Sequence, residues 1–194
     1  MVCGGNNDAV HLNKNMAARF RVAWWGWLLI ALGVVAIVLG VVFVSYREMG
    51  PREVDDVHPD IHCSDGIVSD STWLWIIPLY NNVPISKDRA WCDRMLKSGK
   101  KLGMHGVKHT FNEFNVDQTR EYIQAGVDEF TRAFGYAPTD FKPPKMAVTP
   151  NNLKILKDMG LNIHNRWQQL IHKVYHCEDQ GRKNGGRLEF EIET

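Results

Sequence analysis

Three short stretches of this 194-residue chain carry residue types that can do chemistry together. Asp55 and Asp56 stand side by side ahead of Val57-His58-Pro59. His105 and His109 lie four apart in H-G-V-K-H, and Lys142 precedes Pro143 and Pro144. One carboxylate and two imidazoles, with a position left open for water, can form a divalent-metal catalytic site. The i, i+4 spacing predicts both imidazoles on one side of a helical turn. Gly106 stands where a helical zinc-protease motif would carry Glu, so that chemistry is disfavoured. Taken singly, the Asp pair reads as a solvated acidic loop and the His pair as two exposed loop histidines. The weight lies in their joint order along the chain.

The elements that must position these groups alternate between strand and helix. Arg52–Val57 reads as a short strand ending at the Asp pair, and the apolar run over residues 73–80 reads as a strand buried on both faces. Ser86 is expected to cap a helix running to Ser98, with Gly99 as its stop. Residues 101–104 form the next strand and lead into His105. Residues 117–134 predict an amphipathic helix with Tyr122, Ile123, Val127, Phe130 and Phe134 on one stripe, and Gly135 closing it. A brief strand over residues 140–143 follows. Thr149 then caps a helix that opens with Pro150, and residues 161–165 complete the fifth strand. Such alternation implies a mostly parallel sheet with right-handed crossovers, where functional groups gather at the carboxyl ends of the strands.

The average composition, 44% hydrophobic with a formal net charge of +1, conceals a partition. Residues 22–44 contain no charge, and all are hydrophobic except Gly26, Gly33 and Gly40. At about 1.5 Å per residue a helix of that length crosses a hydrocarbon core of about 30 Å. The run is too long for a cleaved signal peptide. Trp24, Trp25 and Trp27 at one end and Tyr46 at the other read as interfacial anchors in the bilayer. Lys14, Arg19 and Arg21 outnumber Arg47 and Arg52 near the ends, which puts the N-terminus in the cytosol. The expected organisation is a cytosolic tail (1–21), a transmembrane signal anchor (22–46), a lumenal or extracellular domain (47–177) and a polar tail (178–194), either frayed or an edge hairpin. Ala36 and Gly40, with the recurring glycines, offer a face for pairing two helices in a homodimer.

Beyond the anchor the chain carries 20 basic and 21 acidic residues, so a nucleic-acid partner is excluded on charge. Neither a phosphate-binding Gly-rich loop nor a GxSxG elbow is present. Cys63, Cys92 and Cys177 fall on the oxidising side, where three thiols allow at most one internal disulfide, its pairing open. Cys3 belongs to the cytosolic side.

The order Asp-Asp, then HxxxH, then a basic residue with Pro-Pro resembles the polysaccharide deacetylases of the NodB-like, carbohydrate esterase type, over residues 51–165. The resemblance implies a distorted, incomplete β/α barrel of parallel strands behind the transmembrane helix. It implies Asp55 as general base, Asp56, His105 and His109 as ligands of a divalent metal such as zinc, and Lys142 steadying the base where the family has Arg. Pro143 and Pro144 complete that motif and are expected at the substrate. The implied reaction removes acetyl groups from N-acetylated glycans. A general acid is expected from a Leu-x-His motif; Leu170-Ile171-His172 fits its letters, with His58 and His62 as other candidates. The 148 residues after the anchor are short for a closed barrel of about 200 or more, which points to an open barrel or a shortened chain. The alternative function is a non-catalytic glycan-binding or interaction module.

Overall fold

The computed structural model describes residues 7–164 and 166–177. They fall into two compact units, divided between Tyr46 and Arg47. The helix α1 (Asn7–Met49), most of which lies in the first unit, includes the segment Trp24–Met49, long and apolar enough to cross a membrane. Trp24, Trp25, Trp27 and Tyr46 are all exposed on it.

The second unit is built from β1 (Arg52–Val57), α2 (Asp65–Asp70), β2 (Trp73–Ile76), α3 (Arg89–Lys97), β3 (Lys101–His105), α4 (Arg120–Phe134), β4 (Asp140–Lys142), α5 (Pro150–Asp158), β5 (Asn162–Ile163), α6 (Arg166–Ile171) and β6 (Lys173–His176). The strands form one sheet in the order β5-β4-β3-β2-β1-β6, with every pairing parallel. The sheet is open among the described residues, as expected for an incomplete barrel.

Several boundaries differ from expectation for local reasons. The apolar run yields a strand only to Ile76, shortly before Pro78, which has no N–H for a ladder. Asp88, rather than Ser86, accepts the N–H of Trp91 and caps α3; Ser86 sits in a 3-10 turn, Ile85–Lys87. Thr119 caps α4 through Tyr122 N–H, so that helix begins at Arg120 and not at residue 117. The fifth strand shrinks to Asn162–Ile163. The sheet gains β6, which sequence patterning did not reveal. Thr149 and Gly135 cap their helices as expected. The polar stretch 178–194 lies outside the described residues.

Period-two alternation gives the two sheet faces opposite character. Val54, Leu74, Ile76, Leu102, Met104 and Phe141 belong to the apolar core, together with Ile123, Phe130 and Leu156 from α4 and α5. Glu53, Asp55, Trp75, His105 and Lys142 take the alternate positions, and all are buried. Gly103 lies among them because a Cβ there would run into the Trp75 ring. The inner face therefore concentrates charge, and it opens at the carboxyl ends of the strands.

Candidate metal centre

Adjacent residues of a regular strand point to opposite faces, so Asp55 and Asp56 cannot both face one site without a distortion. Pairing of β1 with β2 shifts register between Val54 and Val57, and Asp56 adopts φ 60°. This bulge turns Asp56 back over the site that Asp55 already faces. Left-handed backbone at a non-glycine residue is unfavourable, and Asp tolerates it better than most.

His105 ends β3 and His109 follows in a tight loop. This corrects the expectation of a helical turn: Gly106 has φ 63° and His109 φ 57°. The loop is wrapped around Glu113, whose buried carboxylate accepts the N–H groups of Val107 (3.2 Å), Lys108 (2.7 Å) and His109 (3.2 Å), and also the Tyr122 hydroxyl. Asn152 braces the next segment, its amide donating to the carbonyls of Phe114 (3.0 Å) and Val116 (2.7 Å). Pro143 and Pro144 are buried. A Cβ on Gly106 would meet the Glu113 carboxylate and the Pro144 ring, so Pro144 packs against the loop.

These devices bring one ligand atom each from Asp56, His105 and His109 within 4.8 Å of one another. Asp56 Oδ1 lies 3.0 Å from His109 Nε2 and 3.4 Å from His105 Nε2. His105 Nδ1–H donates to the Lys142 carbonyl at 3.0 Å, which leaves the Nε2 lone pair facing the cluster, the tautomer a metal needs. Burial is the main cause that lowers the His109 pKa to about 4 despite the attraction of Asp56, which favours the neutral imidazole. Burial would raise the Asp56 pKa, but the imidazoles of His105 and His176 outweigh it and hold the carboxyl far below the usual range. Asp56 Oδ1 is nonetheless buried without a hydrogen-bond partner among the described residues. An ionised oxygen facing imidazole lone pairs is completed by a cation, so the donor set fits a divalent ion of the zinc type.

Asp55 and Lys142 meet, Lys142 Nζ donating to Asp55 Oδ1 at 2.8 Å. Asp55 Oδ2 faces the other way, 4.0 Å from His105 Nε2. Sequence reasoning missed Glu53, whose Oε2 accepts from the same Lys142 ammonium at 3.1 Å. It also missed His176, which donates from Nδ1 to Asp56 Oδ2 at 2.8 Å. His172, favoured by its Leu-x-His letters, is bonded to Glu53. His58 is buried, donating from Nε2 to the Val83 carbonyl at 3.2 Å; His62 is exposed. The apolar-x-His letters of Val174-Tyr175-His176 were the available signal for this imidazole beside Asp56. Cys63 and Cys177 form the disulfide, tying the loop after β1 to the residue beside His176, while Cys92 is free and buried.

No family model matches the chain, and no curated protein matches it. Solved structures do. A peptidoglycan N-acetylglucosamine deacetylase, Bc1960, in complex with 4-naphthalen-1-yl-N-oxidanyl-benzamide, aligns at TM-score 0.50 and 16% identity, covering 66% of this chain and 70% of that one. A carbohydrate esterase family 4 (CE4) pseudoenzyme from Bacillus anthracis aligns at 0.42 and 11%, over 54% of this chain. The polysaccharide deacetylase Bc1974 from Bacillus cereus aligns at 0.40 and 12%, over 54% of this chain and 64% of that one. The chain spans less than half of the Bacillus anthracis protein, 44% of its length. Similarity to the first of these structures shows that the second unit has the polysaccharide deacetylase fold.

Proposed function

We propose that this chain is a membrane-anchored, metal-dependent hydrolase that removes acetyl groups from an N-acetylated glycan. The observation that carries the reading is the placement of Asp55 beside a three-residue group whose Asp56 Oδ1 is buried without a hydrogen-bond partner among the described residues. Asp56, His105 and His109 would hold the ion. When bound, a divalent ion such as zinc supplies Lewis acidity, polarising the acetamide carbonyl and lowering the pKa of a water toward about 7.

Asp55 serves as general base. Its Oδ1 is occupied by Lys142, so Oδ2 takes the proton of the attacking water. Lys142 holds Asp55 in place as a point charge, without the two-pronged contact that Arg makes. His176 is the candidate general acid for the departing amine, since its side chain lies at the rim, 37% exposed, against Asp56. The apolar segment Trp24–Met49 anchors the protein, and the Cys63–Cys177 disulfide suits an oxidising lumenal or extracellular setting.

Zinc titration of the full chain in detergent, coupled to acetate release from N-acetylated chitooligosaccharides and peptidoglycan fragments, tests this. Zinc-dependent acetate release that vanishes in His105→Ala is the expected result. Tight zinc binding with no release from any acetylated sugar would overturn the enzymatic reading in favour of a binding module.

A further inference from the structure

Beneath the ligand group, Lys142 is 1% exposed and Glu53 also 1%. A buried ammonium next to one carboxylate is a complete ion pair in charge, yet here two carboxylates converge on it. Lys142 Nζ lies 2.8 Å from Asp55 Oδ1 and 3.1 Å from Glu53 Oε2, and 5.6 Å from the centre of the Trp75 ring. Lys has a flexible four-carbon stem and no planar fork, so a single carboxylate cannot fix its direction. Glu53 is itself immobilised. Its Oε2 also accepts the Trp75 indole N–H at 2.9 Å, and its Oε1 is bonded to His172. A carboxylate so fully engaged inside the sheet has no capacity left for substrate.

We propose that Glu53 is a positioning residue: clamped by Trp75 and His172, it aims the Lys142 ammonium at Asp55 and so holds the base in its working orientation. This rests on the hydrolase reading, and it adds a residue that acts on the reaction only through Lys142. The arrangement explains how Lys can stand where Arg is expected, because the second carboxylate restores the directionality that the point charge lacks. Glu53 and Lys142 sit on β1 and β4, separated in the sheet by β2 and β3, so the contact also spans the inner face.

The test measures steady-state kinetics, zinc affinity and thermal unfolding on full-length Glu53→Gln. Orientation lost at the base should lower kcat by about 10- to 100-fold, with KM and zinc affinity unchanged. Trp75→Phe keeps an aromatic ring at the position but deletes the indole N–H, and is expected to show a smaller loss of the same kind if Glu53→Gln fails to fold. A folded Glu53→Gln or Trp75→Phe protein with wild-type kcat would overturn the proposal, even if its stability fell. Nitrogen-15 NMR of the Lys142 ammonium separates this from failure of the hydrolase reading. A slowly exchanging signal in the wild type that is lost in Glu53→Gln supports the clamp even if no acetate is ever released. An ammonium signal unaffected by Glu53→Gln counts against the clamp.

Discussion

The two layers of the inner face differ in how their charges are met. In the lower layer, Glu53, Asp55, Lys142, Trp75 and His172 satisfy one another almost entirely. In the upper layer, Asp56, His105 and His109 are drawn together without completing each other, and Asp56 Oδ1 has no hydrogen-bond partner among the described residues. The layers differ in exposure as well: the Lys142, Glu53 and Asp55 side chains are almost fully buried, whereas those of Asp56 and His109 are 18% and 26% exposed. A buried charge network that closes by itself leaves no donor free; one that stays open keeps donor atoms that could hold an ion.

Substitutions can break this contrast layer by layer. The largest effect is expected in the upper layer, where His105→Ala should abolish stoichiometric zinc binding while leaving a folded protein, as read by calorimetry and circular dichroism. Lys142→Ala attacks the lower layer and leaves two buried carboxylates without their cation. It should cost about 3–5 kcal/mol of stability by denaturant unfolding, as for any broken buried ion pair. Glu113→Gln touches neither layer directly but loosens the loop that carries His109. Its expected cost is about 10- to 100-fold in zinc affinity, the usual scale for a residue that orients a ligand.

Acid should produce a smaller and graded effect on the lower layer. Burial alone would raise the Glu53 pKa, but His172 and Lys142 pull it down to about 2 from 4.5. Its stabilising contribution is therefore fully present above about pH 4.5 and is lost as pH falls through about 2. At the other extreme, burial opposes the Lys142 charge, but Asp55 and Glu53 more than offset it and raise the pKa. The cation's contribution thus persists through ordinary alkaline conditions and fades only above that raised value. Thermal unfolding of wild type and Glu53→Gln across the acid range should show a shallower acid dependence in the variant.

The same division governs how much was legible in the sequence. Asp55, Asp56, His105, His109 and Lys142 announce themselves because metal-binding and basic side chains at strand ends are rare in combination. Their supports do not. Glu53 looks like any alternating strand residue, and only the partner strand β4 gives it a cation. Glu113 acts on backbone N–H groups, which leave no trace in side-chain spacing. The bulge at Asp56 is invisible to a period-two pattern, since it is defined by a break in pairing with β2. His176 was hidden because β6 is four residues long, and its place beside Asp56 comes from pairing Asp55 with His176 across β1 and β6. The helix starts at Ser86 and residue 117 were misplaced for a simpler reason: several capping residues lie within three positions, and tertiary contacts choose among them. Alternation of strand and helix, by contrast, fixed the parallel open sheet well, because each buried face needs its own hydrophobic period.

The most direct measurement is calorimetric titration of zinc into the metal-stripped full chain, alongside Asp56→Ala and Glu53→Gln. One ion per chain, lost in Asp56→Ala and retained with unchanged affinity in Glu53→Gln, is the expected result. Equal zinc binding by the wild type and Asp56→Ala would contradict the assignment of the upper layer as the metal centre.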